Sequence, residues 1–423
     1  MRKYLQKFSQ AKLKTLFVFY ITLGSTSYAQ TSPFLDSLLK ATLPQFTNVL
    51  ENPNKYKLQI IYSRINRNEE NKPTFRDFKF HVNKNYFYPA STVKLPISTL
   101  ALIKLEELNV KGLGRETTMI TDSAYYCQKK IRVDTTSASR YPTLENYIKK
   151  MFLVSDNYSC ARVYEFVGHD YAHKKLEELG FKNVRLFNRL DGSCPGDTAK
   201  VTPPIYFLNE AKDTIYKQPL TLFKDKLMHP IPNSKVGNSH TGPNGKPVYG
   251  PKDFSSHNYL TPNDLHNLMK KIVFNDFFSE KEKLPISSDS RKFMLKQLGM
   301  YPKESEHPKY DKKIFYDTYK KYFLYASAVA TVKQDSIRMF NIVGRAYGFL
   351  IDCAYIVDYK NKIEYLLTSS IYVNEKNVVG NGKYEYDLIG LPFLRDLSWS
   401  IYNFERTRPK EHLPDLSEFR LFD

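Results

Sequence analysis

The stretch Tyr88-Pro89-Ala90-Ser91-Thr92-Val93-Lys94-Leu95-Pro96-Ile97-Ser98-Thr99-Leu100 decides how the rest of the chain is read. From Ser91 onward Leu95, Ile97, Leu100, Leu102, Ile103 and Leu105 give a strongly apolar helix running to about Leu108. Pro96 is tolerated because it falls in the first turns, where a missing N–H costs nothing. Ser91 and Lys94 stand three residues apart at the start, so they share one face of the helix. A serine hydroxyl is a poor nucleophile at neutral pH and needs a base within hydrogen-bond reach. A lysine amine serves when desolvation and nearby charge lower its pKa. The helix start also offers backbone N–H groups to a developing oxyanion.

Upstream, residues 34–51 show helical spacing, with Phe34, Leu38, Leu39, Leu43, Phe46, Val49 and Leu50 on one side. Two strand-like runs follow, Lys57–Ile65 and Phe75–Val82, joined by the polar turn Asn66–Pro73. They read as an antiparallel hairpin. Downstream, helices are expected at 143–154, 158–167 and 171–179, the first capped by Thr143. Residues 185–260 are rich in Pro, Gly, Asn and Asp and read as loops. Thr261-Pro262-Asn263-Asp264 opens an amphipathic helix, and Ser287 or Ser288 caps another through Leu298. Strands then return at Met339–Gly344, Phe349–Val357 and Glu364–Val373, before a final helix at about 386–405. Strands at both ends around a helical middle predict an α+β, three-layer fold: one antiparallel sheet flanked by helices, with an inserted all-helical subdomain. The sheet parts fall at about 30–90 and 275–423, the helical and loop insertion at about 91–274, and residues 30–423 form one domain.

Ser155-Asp156-Asn157 follows Ser91 by 64 residues, at the end of the helix that begins near Thr143. A second hydroxyl there can relay a proton to a leaving group, and Asn157 can bond Lys94 or a substrate amide. By itself the triplet is an ordinary helix cap; paired with Ser91 and Lys94 at this separation it reads as chemistry.

These residues resemble the serine β-lactamase and penicillin-binding-protein superfamily, most closely the class A β-lactamases and related serine hydrolases. The resemblance covers roughly residues 35–405. It is carried by Tyr88–Lys94, the Ser155 triplet, the Thr261-Pro262 helix start and the late strand pair. It implies a β-lactamase-like fold, with Ser91 as nucleophile, Lys94 as base, Ser155 as a catalytic hydroxyl and Asn157 on the opposite wall of the cleft. The third motif of such proteins, K-[ST]-G on a strand facing the nucleophile, supplies a lysine for the substrate carboxylate. By strand order the matching stretch is Ile342-Val343-Gly344, which keeps the glycine and lacks the lysine, so Gly344 and Arg345 are assigned to substrate binding. Lys235-Val236-Gly237 and His240-Thr241-Gly242 are decoys that precede all the late strands. The deacylating glutamate of class A enzymes has a shorter counterpart in Asp191, within Asn188-Arg189-Leu190-Asp191-Gly192; the alternative for Asp191 is a turn residue. Tyr126, beside Tyr125, corresponds to an aromatic wall of the cleft, or to ordinary packing.

The bulk composition narrows the setting. The net charge is +19, of which residues 1–30 supply five positive charges and no negative ones. The remaining basic residues are dispersed, and no nucleic-acid motif accompanies them. Basic residues precede the apolar run Leu16–Gly24, and Ser27-Tyr28-Ala29 ends the segment, as in a secretory signal peptide covering residues 1–29. The run is too short to span a bilayer, which takes ~20 residues. The expectation is a periplasmic or secreted monomer, free of membrane insertion after cleavage, that acts on a small-molecule or cell-wall-derived substrate. Cys127, Cys160, Cys194 and Cys353 match no zinc spacing; an exported protein permits disulfides, and the three full pairings and free thiols all stay open. The nine histidines form no metal motif, so neither metal nor cofactor is expected. Three functions compete: lactam hydrolysis, a peptidase or esterase on cell-wall peptides or small esters, and a slow penicillin-binding or non-catalytic protein of the same fold.

Overall fold

The computed structural model describes residues 31–194, 198, 201–222, 230–326 and 336–422. The expected signal peptide lies outside these residues. Residues Thr31–Asp423 form one compact unit.

Among the described residues the first element is helix α1 (Pro33–Thr42), capped by Ser32. The helical spacing over 34–51 predicts one helix, but Pro44 interrupts it, and a short helix Thr47–Glu51 follows a tight turn. Strands β1 (Gln59–Arg67) and β2 (Pro73–Phe80) form the hairpin, with Tyr62 opposite Phe78. Next come α2 (Lys94–Leu108), α3 (Leu144–Leu153), α4 (Asn157–Val167), α5 (His169–Glu178), α6 (Pro262–Val273) and α7 (Ser288–Gly299). Thr143 caps α3 and Ser287 caps α7, while Thr261 and Asp264 close a reciprocal capping box on α6. Strands β3 (Ile337–Ala346), β4 (Phe349–Asp358) and β5 (Ile363–Tyr372) and helix α8 (Leu391–Thr407) complete the chain.

The central sheet has the order β3-β4-β5-β1-β2, antiparallel throughout. First and last segments therefore meet in its middle, where Ile61 of β1 pairs with Thr368 of β5. Strand β4 explains the three layers. Phe349, Ile351, Cys353, Tyr355 and Val357 join the core beneath α2–α7, whereas Leu350, Ala354 and Ile356 join the core beneath α1 and α8. A period of two sends alternate side chains to opposite faces, so a strand covered on both faces is apolar at nearly every position. Helix α2 is enclosed in the same way: every residue from Lys94 to Ile103 is buried.

The insertion departs from the all-helical expectation. Between α5 and α6 lie short strands, including Ile205–Leu208 with Thr214–Gln218, and Ser239–Thr241 with Pro247–Tyr249. Elements of two to five residues are too short to print an alternating pattern over a polar, glycine-rich background. One disulfide joins Cys127 to Cys194, and Cys160 and Cys353 are buried free thiols. No helix among the described residues is long and apolar enough to cross a membrane.

Candidate active site

Ser91 sits on a tight helical turn, Ala90–Val93, that leads directly into α2. Pro89 anchors the turn: its carbonyl accepts from the Thr92 N–H at 3.0 Å and from the Thr92 hydroxyl at 2.7 Å. Ala90 takes a left-handed backbone, φ 46°, which costs a non-glycine residue ~1–2 kcal/mol. The sheet side holds the turn in that shape. Strand β3 lies against it, and a Cβ on Gly344 would stand 2.7 Å from the Pro89 carbonyl oxygen and 3.2 Å from the Ala90 Cβ. Only a glycine lets the strand come this close.

The Lys94 ammonium is completely buried at the first turn of α2. Its Nζ lies within hydrogen-bond distance of four oxygens, Ser91 Oγ at 2.8 Å, Ser155 O and Ser155 Oγ at 2.9 Å, and Asn157 Oδ1 at 2.7 Å, more than its three protons can serve at once. Ser155 Oγ in turn donates to Ser91 Oγ at 2.7 Å. Ser155 is also left-handed, φ 58°, in the short link between α3 and the Asp156 cap of α4. That turn aims both its carbonyl and its hydroxyl at the lysine. Burial drives the Lys94 amine down to about 8, against the opposing pull of Cys160 and Asp156. At neutral pH a fraction of the amine is therefore unprotonated and within reach of the Ser91 hydroxyl.

Ser91 and Ser155 open onto a cleft of about 320 Å³ whose wall includes Tyr316, Lys320, Tyr322, Val343 and Arg345. Lys321, next along the chain, donates to the Met339 carbonyl at 3.0 Å. In a regular antiparallel ladder each residue turns its N–H and C=O to the same edge, and the edges alternate. Odd-numbered residues of β3, Arg345 among them, thus present their backbone to the free edge of the sheet.

The structure brings Ser91, Lys94, Ser155, Asn157, Gly344 and Arg345 together, and two further candidates are engaged elsewhere or exposed. Asp191 accepts from the Ser193 N–H at 3.0 Å and the Ser193 hydroxyl at 2.7 Å, and its other oxygen faces Arg162 at 4.0 Å. These contacts hold the carboxylate in its own turn, as the turn reading has it. Tyr126 is 88% exposed and is not in the cleft wall. Both lie on segments whose position is set by distant contacts, among them the Cys127–Cys194 bridge.

Ile342, where the sequence reading expects the third-motif lysine to be replaced, is 3% exposed and packs into the core under the helices. His240 lies away on a strand paired with Pro247–Tyr249 and Val378–Val379, and its Nδ1 bonds Gly250 O at 3.0 Å. The residue that sequence reading missed is Lys320. It belongs to a turn-rich segment with no periodic pattern, and only the tertiary contacts of that segment bring it to Ser91. Among the described residues no cluster of side chains could hold a metal ion.

The sequence model of the beta-lactamase enzyme family matches residues 45–298. No curated protein matches the chain. Among solved structures, a β-lactamase from Sphaerobacter thermophilus is 13% identical, with 88% of this chain and 98% of that one covered, at a TM-score of 0.47. A β-lactamase from Xanthomonas campestris pv. campestris is 12% identical, with 88% and 99% covered, at 0.46. The structure of PBP-A is 14% identical, with 88% and 96% covered, at 0.47.

Proposed function

This chain belongs to the beta-lactamase enzyme family, and we propose that it is an exported serine hydrolase that forms an acyl-enzyme on Ser91 with a lactam amide. The observation that carries the reading is the triangle of Ser91 Oγ, Lys94 Nζ and Ser155 Oγ, with sides of 2.8, 2.9 and 2.7 Å, at the floor of an open cleft.

Neutral Lys94 takes the Ser91 proton as Oγ attacks the carbonyl carbon. The N–H groups of Ser91 and Arg345 hold the oxyanion of the tetrahedral intermediate. As the C–N bond breaks, the nitrogen takes a proton from the Ser155 hydroxyl, which Lys94 replaces. Lys94 is then neutral again and Ser91 carries the acyl group. Water later cleaves the ester and returns the proton to Ser91.

One observation favours a slow second half. Asp191 is engaged with its own turn and Arg162, so the expected carboxylate does not stand ready to activate water. A long-lived acyl-enzyme, the behaviour of a penicillin-binding protein, is the second reading. Export is supported by the basic-then-apolar order of residues 1–29 and by the Cys127–Cys194 disulfide, which persists in oxidising compartments. A monomer working on a small or cell-wall-derived substrate fits that location.

The test is intact-mass analysis of the mature protein after exposure to a fluorescent penicillin, beside Ser91→Ala. A penicillin-sized mass gain that vanishes in Ser91→Ala supports the reading, and its decay rate separates hydrolysis from trapping. Absence of an adduct, followed by failure of a neutral phosphonate to label Ser91, ends it.

A further inference from the structure

The loop between α2 and α3 is closed at its base by an antiparallel bridge. The Thr121 N–H donates to Ile131 O at 3.1 Å, and the Ile131 N–H to Thr121 O at 2.8 Å. Gln128, 6% exposed, fills the loop from within: its Oε1 accepts from the Ala124 and Tyr125 N–H groups at 2.8 and 3.2 Å, and its Nε2 donates to Val201 O at 2.7 Å. The Asp122 N–H donates to Pro204 O at 2.9 Å, and Cys127 is bonded to Cys194. These ties hold Tyr125 and Tyr126 outward at the tip, 41% and 88% exposed. A loop so fastened loses its ordering entropy on folding and not on meeting a partner. Tyrosine suits such a contact, because it presents a large amphipathic ring with only two side-chain torsions.

The same stretch carries three exposed cations, Lys129, Lys130 and Arg132, and the exposed Val133. Of the two acids between positions 122 and 134, Asp134 turns inward and accepts from Lys150 Nζ and Asn146 Nδ2 at 2.8 Å each. Asp122 faces Lys130 at 3.2 Å. Lys129 and Arg132 have no carboxylate within ion-pair distance among the described residues. The patch is cationic and aromatic at once. Cations alone suit any polyanion, but the tyrosine rings and Val133 also call for apolar surroundings. The headgroup region of a bilayer supplies both. There the ring enters the boundary while its hydroxyl stays wet, and basic side chains reach anionic headgroups beside it.

We propose that the Asp122–Val133 loop is a docking surface for an anionic lipid bilayer, which Tyr125 and Tyr126 enter at headgroup depth while Lys129, Lys130 and Arg132 pair with lipid phosphates. The contact is peripheral and reversible, and no segment of the chain crosses the membrane through it. It is independent of the chemistry at Ser91, and none of these five residues lines the Ser91 cleft. Its effect is to concentrate the domain at the membrane surface.

The experiment measures co-sedimentation of residues 30–423, which lack the apolar Leu16–Gly24 run, with vesicles of phosphatidylcholine alone or with roughly one third phosphatidylglycerol. The wild type is expected to partition at least about tenfold more strongly onto the anionic vesicles, and less so as salt rises. Tyr125→Ser with Tyr126→Ser and, separately, Lys129→Glu with Arg132→Glu are each expected to weaken that partitioning by at least about tenfold. All four side chains are exposed, so the melting temperatures should match the wild type. Tyr126→Trp is expected to bind within about twofold of the wild type and to add an emission that shifts to the blue on the vesicles. A wild type that ignores the anionic vesicles or binds both compositions alike overturns the docking surface. So does either paired variant that binds as the wild type does, or an added emission in Tyr126→Trp that stays unshifted. Binding to soluble heparin that matches vesicle binding and survives the tyrosine changes identifies a polyanion site instead, and overturns it as well.

Discussion

Gly344 of β3 rests on the carbonyl of Pro89, so closely that a Cβ at 344 would lie 2.7 Å from the Pro89 oxygen. The contact joins the edge strand to the turn that carries Ser91. In the proposed mechanism it also sets the spacing of the Ser91 and Arg345 N–H groups that would hold the oxyanion. Gly344→Ala is expected to destabilise the protein by about 1–3 kcal/mol, the usual cost of overpacking. Because the shift opens the oxyanion site, acylation should fall by more than about tenfold, roughly the loss of one such donor. Urea melts and penicillin labelling of the same sample measure both.

The buried Lys94 amine gives acylation a pH signature. Its folded pKa is lowered to about 8, and only the neutral form accepts the Ser91 proton. The acylation rate constant should therefore rise as pH increases through about 8 and level off above it. Lys94→Arg, which keeps its charge at every accessible pH, should be inactive throughout. A flat profile from about pH 6 to 9 in the wild type would remove Lys94 as the base.

Asp191 accepts from Ser193 through one carboxylate oxygen and faces Arg162 with the other. Asp191→Asn is accordingly expected to leave the decay of the penicillin adduct within about twofold of wild type. Deacylation that slows by orders of magnitude in the variant would make Asp191 the water-activating base after all.

The Cys127–Cys194 bridge closes a loop across a separation of 67 residues. Chain entropy alone assigns such a cross-link about 4 kcal/mol. Cys127→Ala with Cys194→Ala should lower stability by up to that amount, and reduction of the wild type should reproduce the loss. Thermal melts with and without reductant provide the measurement.

Much of the site is legible in the amino-acid order because its logic is local. Ser91 and Lys94 lie three residues apart, and Ser155 and Asn157 flank one helix cap; helix geometry alone orients each pair. The long strands are legible because burial on both faces makes them continuous apolar runs. The short strands of the insertion are not, and neither is the break at Pro44 within an otherwise helical pattern.

What the sequence by itself determined is the set of groups available: a serine hydroxyl, a lysine amine one turn away, a second hydroxyl, a strand glycine, and four cysteines with no pairing chosen. The tertiary structure alone decided which of these groups meet. It paired Cys127 with Cys194, turned Asp191 toward Arg162, left Tyr126 in solvent and seated Ile342 in the core. It also carried Lys320 to the cleft through Asn341 and Asp352, residues 21 and 29 to 30 positions from the groups they hold. The physical reason is range. Helix and strand periods are set by neighbours a few residues apart, whereas a cleft is made by contacts between segments whose separation no local pattern encodes.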